Sequence, residues 1–126
     1  MTLLFLLLNA ALFLVFGIIY LLFPAGLAQS AGLQYSTSGL TDIRATYGGF
    51  QIGLALFLGW SALNPDRYRA ALMALLLIFA SVGGSRLYGL SIDGAPNLFH
   101  SIALTFELAV IAFSTWLLRC LAINAK

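Results

Sequence analysis

Residues 2–23 read TLLFLLLNAALFLVFGIIYLLF, an uncharged run in which Asn9 is the one strongly polar side chain. A helix needs about 20 apolar residues to cross a hydrocarbon core of about 30 Å, so this stretch predicts a membrane span. Pro24 ends it, because proline removes a backbone donor and clashes with the preceding turn. A secretory signal is the competing reading, since Ala28-Gln29-Ser30 loosely resembles a cleavage site. No Lys or Arg precedes the apolar run, however, and the run exceeds the usual core of about 7–15 residues. A retained helix is the expectation.

The remainder of the chain is of the same kind. Of its 126 residues, 62% are hydrophobic and 8% charged, with a mean hydropathy of +1.02. Soluble domains carry about 25% charged residues, so this chain lacks the polar surface that water requires. The composition excludes a disordered chain, a disulfide scaffold and a nucleic-acid binder. A net charge of +2 with no basic run marks no polyanionic partner. Cys120 is the sole cysteine, which rules out an intrachain disulfide and a cysteine metal cage; it reads as a small buried or interfacial thiol.

Three further apolar stretches complete an all-α, integral membrane four-helix bundle in one transmembrane domain over 1–126. Residues 25–40 are small, polar and uncharged, and read as the longest loop. The second span is expected over 41–63, with Thr41 as N-cap and Asp42 at the positive end of the helix dipole. Asn64-Pro65 stops one helix and restarts the next, asparagine as cap and proline in the first turn. The third span runs over 68–90, and Asp93-Gly94 makes a tight turn. The fourth begins near Pro96-Asn97 and covers 97–118. Arg67 and Arg69 lie in the second loop, and Arg119 and Lys126 lie at the C-terminal end. The loops expected on the other side contain no Lys or Arg. The positive-inside rule thus gives an N-in/C-in topology with the second loop in the cytoplasm.

Helix rise, about 1.5 Å per residue, then converts position into depth. Arg44 lies about one turn below the outer surface. Gln51 follows seven residues later on the same face of an α-helix, with Tyr47 between them. Arg86 lies near the outer end of span three. On span four, His100 is near the outer end, Glu107 is two turns deeper, and Ser114 continues the stripe. A charged side chain at the bilayer centre costs about 3 kcal/mol on insertion scales, so these groups should turn inward. An Arg86–Glu107 pair, extended by Arg44, Gln51 and Tyr47, would satisfy them. Asp42 and Asp93 at the rim would neutralise remaining charge, and the first loop would roof a polar pocket. The candidate ligand-binding or proton-handling residues are therefore Arg44, Tyr47, Gln51, Arg86, Asp93, His100 and Glu107. The alternative is that these groups only hold the helices in register.

The small residues Ala45, Gly49 and Gly53 recur every four positions, suiting close helix packing or a homodimer seam, with Gly83-Gly84 as a possible acceptor. His100, the single histidine, reads as a rim residue rather than a ligand, because no further ligands share its level; no metal and no cofactor is expected. No nucleophile–base set, Walker loop or dinucleotide fingerprint occurs, so no catalytic residues are assigned.

The segments Thr41-Asp42-Ile43-Arg44-Ala45-Thr46-Tyr47-Gly48-Gly49-Phe50-Gln51, Arg86-Leu87-Tyr88-Gly89 and Asp93-Gly94-Ala95-Pro96, together with Glu107, resemble the small bacterial membrane proteins grouped as domain of unknown function 4345. The resemblance covers nearly the whole chain. It implies a four-helix protein of the bacterial inner membrane and marks Arg44, Arg86, Asp93 and Glu107 as its polar signature, without an activity. A looser similarity, of architecture alone, is to DoxX-like proteins, some of which work as membrane subunits beside oxidoreductases. Three function classes remain. One is an outward pocket binding or carrying a small amphiphilic or anionic ligand, for which arginine's planar fork is suited. The others are a proton-coupled transporter using Glu107 and an accessory subunit of a larger membrane complex. The expected partners are the lipid bilayer, a small-molecule or lipid ligand, and a homo-oligomer or membrane partner protein, with no nucleic acid.

Overall fold

A computed structural model describes residues 1–94 and 97–124, and among these the chain is all-helical, without a strand. Pro96, expected to open the fourth span, and Lys126, one of the four orienting basic residues, lie outside the described residues. The chain divides into two compact units, Met1–Tyr68 and Arg69–Lys126.

In the first unit, α1 spans Thr2–Leu22 and stops where Pro24 requires it to. The segment expected as a loop is instead largely helical. Helix α2 (Pro24–Ser30) starts on proline in its first turn, and α3 (Thr37–Ile43) follows a short connection. Gly32, at φ +79°, makes the left-handed turn after α2, a conformation glycine adopts without steric cost. Helix α3 therefore begins four residues ahead of Thr41. Its cap is Ser36, whose Oγ accepts the Gly39 backbone N–H at 3.2 Å. Thr41 and Asp42 are interior to the helix rather than its cap and first turn.

The backbone then continues helically through a π-turn, Arg44–Gly49, into α4 (Phe50–Ala62). A π-turn holds more residues than an α-turn. It displaces the seven-residue alignment of Arg44 with Gln51 by about one residue's rotation, roughly 100°. Helix α1 crosses this segment at two glycines. A Cβ on Gly17 would lie 2.8 Å from Ile52 Cγ1 and 3.1 Å from the Gly48 carbonyl oxygen. A Cβ on Gly48 would lie 3.1 Å from the Leu21 backbone nitrogen. The close approach thus uses Gly17 and Gly48. Gly53 of the expected stripe is not at this crossing: a Cβ there meets nothing within 4 Å.

Asn64 caps the next element as expected, its Oδ1 accepting the Asp66 backbone N–H at 3.0 Å. A 3-10 turn over Pro65–Arg67 leads into α5 (Tyr68–Asp93), and α6 covers Leu98–Asn124. Both helices run past their expected ends at Leu90 and Leu118. Gly94, at φ +64°, closes α5 at the expected turn. Among the described residues, three helical segments are long and apolar enough to cross a membrane: Thr2–Leu22, Pro65–Asp93 and Leu98–Ile123. The π-turn divides the second expected span, leaving α4 with 13 residues.

Candidate functional site

Helix α5 buries Ala71, Leu72, Leu75, Phe79 and Gly83, a three-and-four spacing that defines one face. Arg86 is three residues beyond Gly83 on that face. Helix α6 buries Glu107, Val110, Ser114 and Leu117 with the same periodicity. Phe79 meets Phe106 edge to face, with centroids 5.5 Å apart, while Arg86 meets both Glu107 and His100. Contacts therefore run in opposite order along α5 and α6, an antiparallel pair whose apolar faces carry one charged cross-link.

That cross-link is geometrically complete on one side. Arg86 donates from Nη2 to Glu107 Oε1 at 2.7 Å. Its Nε donates to Oε1 at 3.0 Å and Oε2 at 3.1 Å. The Glu107 side chain is only 4% exposed and that of Arg86 20%. A buried charge is tolerated when it is both paired and hydrogen-bonded, and here the two conditions are met together. Gly83 provides the space: a Cβ there would stand 3.4 Å from Glu107 Oε2. This seat for the carboxylate was missed in the sequence. A glycine three residues before an inward arginine is the available signal.

His100 completes the group. Its Nδ1 lies 3.1 Å from Arg86 Nη1. Guanidinium nitrogens only donate, so Nδ1 accepts and the neutral ring carries its proton on Nε2. The turn holding His100 is fixed by Asn97, whose Oδ1 accepts the His100 backbone N–H at 2.8 Å. Arginine has five N–H donors. Nε, one N–H of Nη2 and one of Nη1 are engaged, which leaves one on each terminal nitrogen. With the imidazole Nε2–H, the trio presents donors without protein partners among the described residues, backed by a buried carboxylate. Ser114, two turns beyond Glu107, is fully buried and its Oγ has no hydrogen-bond partner among the described residues.

An apolar hollow of about 440 Å³ on α6 is lined by Ser101, Ile102, Thr105, Phe106 and Ala109. At about 100° per residue, these positions centre roughly half a turn around the helix from His100 and Glu107. The hollow and the trio are separate features.

Arg44, Tyr47 and Gln51 belong to the first unit. Arg44 Nε donates to the Leu21 carbonyl at 3.2 Å, near the end of α1. Tyr47 stacks on Tyr20, with centroids 5.3 Å apart and planes at 27°. Gln51 is half-buried and Asp93 is exposed at the end of α5. Among the described residues the one ion pair is Arg86–Glu107. Of the expected constellation, the second unit joins Arg86, His100 and Glu107, and the first unit groups Arg44 and Tyr47 at the end of α1.

A family model described as Domain of unknown function (DUF4345) matches residues 1–118. No curated protein and no solved structure matches the chain.

Proposed function

The chain belongs to the DUF4345 family, and from that footing we propose that it is a four-span protein of the bacterial inner membrane that binds or carries a small amphiphile with an acceptor-rich headgroup, held at Arg86 and His100. Both termini face the cytoplasm in this reading. Its support is Arg67, Arg69 and Arg119 at one set of helix ends, together with the unbroken helical backbone from Thr37 to Ala62, long enough for a further crossing despite its π-turn. Cysteines introduced singly at Leu33 and Leu63 in a Cys120→Ser chain test the topology. Impermeant maleimide should label Leu33→Cys in intact spheroplasts and Leu63→Cys only after lysis; the opposite pattern rejects it.

The observation carrying the binding reading is the set of unused donors on Arg86 and His100, which complements a carboxylate or other oxygen-rich group. Glu107 behind them cancels the guanidinium charge without occupying its whole fork. The alternative, a transporter using Glu107, gives no role to the unused donors of Arg86 and His100. In nanodiscs, decanoate should raise the Tm of the wild type and have little effect on Arg86→Lys, which keeps the charge but loses the fork. An equal response in both proteins removes this reading.

A further inference from the structure

The arginine left outside the trio has a chemistry of its own. Arg44 is half-buried, yet its guanidinium meets a carbonyl rather than a carboxylate. The Leu21 carbonyl is one of the last four in α1, which lack intrahelical acceptor roles and carry the helix's partial negative charge. It holds the Nε edge and sets the position of the side chain. Four N–H donors on the two terminal nitrogens have no protein partner among the described residues. Asp42 is two residues earlier, about 200° around the helix, and is exposed, with no ion-pair partner among the described residues. A full positive charge therefore stands half-buried with its fork open.

Its level is also marked. Helix α1 is apolar and long enough to span a bilayer, and Leu21 is in its final turn. Tyr20, Tyr35 and Ile43 gather there with Leu27 and Ala28, and Tyr47 stacks on Tyr20. Tyrosines concentrate at the membrane–water boundary, the depth of lipid phosphates.

We infer that Arg44, fixed by the Leu21 carbonyl, is a phosphate-binding position at the end of α1, taking either the phosphate of an anionic lipid headgroup or free phosphate through its open guanidinium fork. This position lies in the first unit and uses none of the residues of the proposed Arg86 site.

The test uses the full-length protein in detergent with three probes: dioleoylphosphatidylglycerol, a glucosyl diacylglycerol with the same chains but no phosphate, and inorganic phosphate. Native mass spectrometry and thermal unfolding are the readouts. The wild type should retain phosphatidylglycerol in preference to the glucolipid, and Arg44→Gln should lower that retention about tenfold. Arg44→Lys should lose part of it, because an ammonium lacks the planar fork. Arg44-dependent stabilisation by inorganic phosphate that also displaces the lipid would identify free phosphate as the source; phosphatidylglycerol alone doing so would identify the headgroup. Equal retention of phosphatidylglycerol by Arg44→Gln, or equal binding of the glucolipid by the wild type, overturns the inference. Should Arg44→Gln not fold, 15N–31P dipolar dephasing on arginine-labelled wild type decides: no contact at Arg44 sinks the proposal. The decanoate response of Arg86→Lys is independent of every arm.

Discussion

Breaking the Arg86–Glu107 pair from each side should give unequal losses. Arg86→Met strands a carboxylate whose side chain is 4% exposed, with Gly83 behind it and no other cation paired to it among the described residues. Removing one partner of a buried pair costs about 3–5 kcal/mol, and this variant should fall in that range. Glu107→Leu instead strands an arginine that is 20% exposed and still meets His100. A long side chain with part of its guanidinium accessible reaches water or headgroups, so this loss should be smaller, about 1–3 kcal/mol. The double variant leaves neither charge unpaired and replaces the pair with apolar groups of similar volume. It should lie within about 2 kcal/mol of the wild type, giving a coupling energy of at least about 2 kcal/mol. Reversible unfolding in sodium dodecyl sulfate, followed by circular dichroism, measures all four proteins. Additive losses, or a larger loss from Glu107→Leu than from Arg86→Met, would refute the assignment of a buried carboxylate held by a partly exposed arginine. The same double variant separates stability from binding: it should remain folded and lose its decanoate response.

Gly17→Ala should destabilise by about 1–2 kcal/mol, because its Cβ meets the Ile52 backbone nitrogen at 3.0 Å and the Gly48 carbonyl at 3.1 Å, neither of which can turn aside. Gly53→Ala has open space and should stabilise by up to about 1 kcal/mol; unfolding titrations showing the same sign for both would dismiss the Gly17–Gly48 crossing. Gly83→Val should crowd Glu107 off the guanidinium edge and weaken decanoate binding several-fold in nanodiscs, about 1 kcal/mol, while unchanged binding would show that Gly83 does not seat the carboxylate. Ser36→Ala should cost about 1 kcal/mol, seen as faster hydrogen exchange confined to the start of α3. Exchange there as slow as in the wild type would show that the Ser36 cap is not what holds that turn.

What the sequence disclosed depended on the range of the interaction concerned. Pro24, Asn64-Pro65 and Gly94 punctuate helices through their own dihedrals and donors, and each stands at the end it announces. The all-helical fold followed from apolar runs too long for strands and too charge-poor for water. Residues 25–40 are ambiguous because small uncharged residues suit loops and short helices alike; the start signal is Ser36, an N-cap oxygen for the Gly39 backbone N–H. The π-turn had no local signature. It arises where Gly17 and Gly48 bring two backbones together, a long-range fit that a single-helix reading does not contain. The pairing of Arg86 with Glu107 was legible as a cost argument, since neither charge tolerates hydrocarbon alone. The position of Arg44 was not, because its partner is a main-chain carbonyl and carbonyls occur at every residue.

That difference between the two arginines bears on function. Arg86 is compensated: its charge is cancelled by Glu107, so an incoming group meets hydrogen-bond donors rather than a bare cation, and a net-neutral polar headgroup is as well suited as an anion. Arg44 has no carboxylate partner among the described residues: the Leu21 carbonyl contributes only a partial charge, so at the proposed phosphate position an arriving anion would meet a cation. Salt therefore discriminates them. Binding at Arg44 should weaken as ionic strength rises past about 0.15 M, where screening acts within about 8 Å, whereas binding at Arg86 should change little. Phosphatidylglycerol and decanoate titrations at low and high salt read the two directly. Equal salt dependence at both would mean that Glu107 does not cancel the Arg86 charge, and the distinction between a donor site and an anion site would fall.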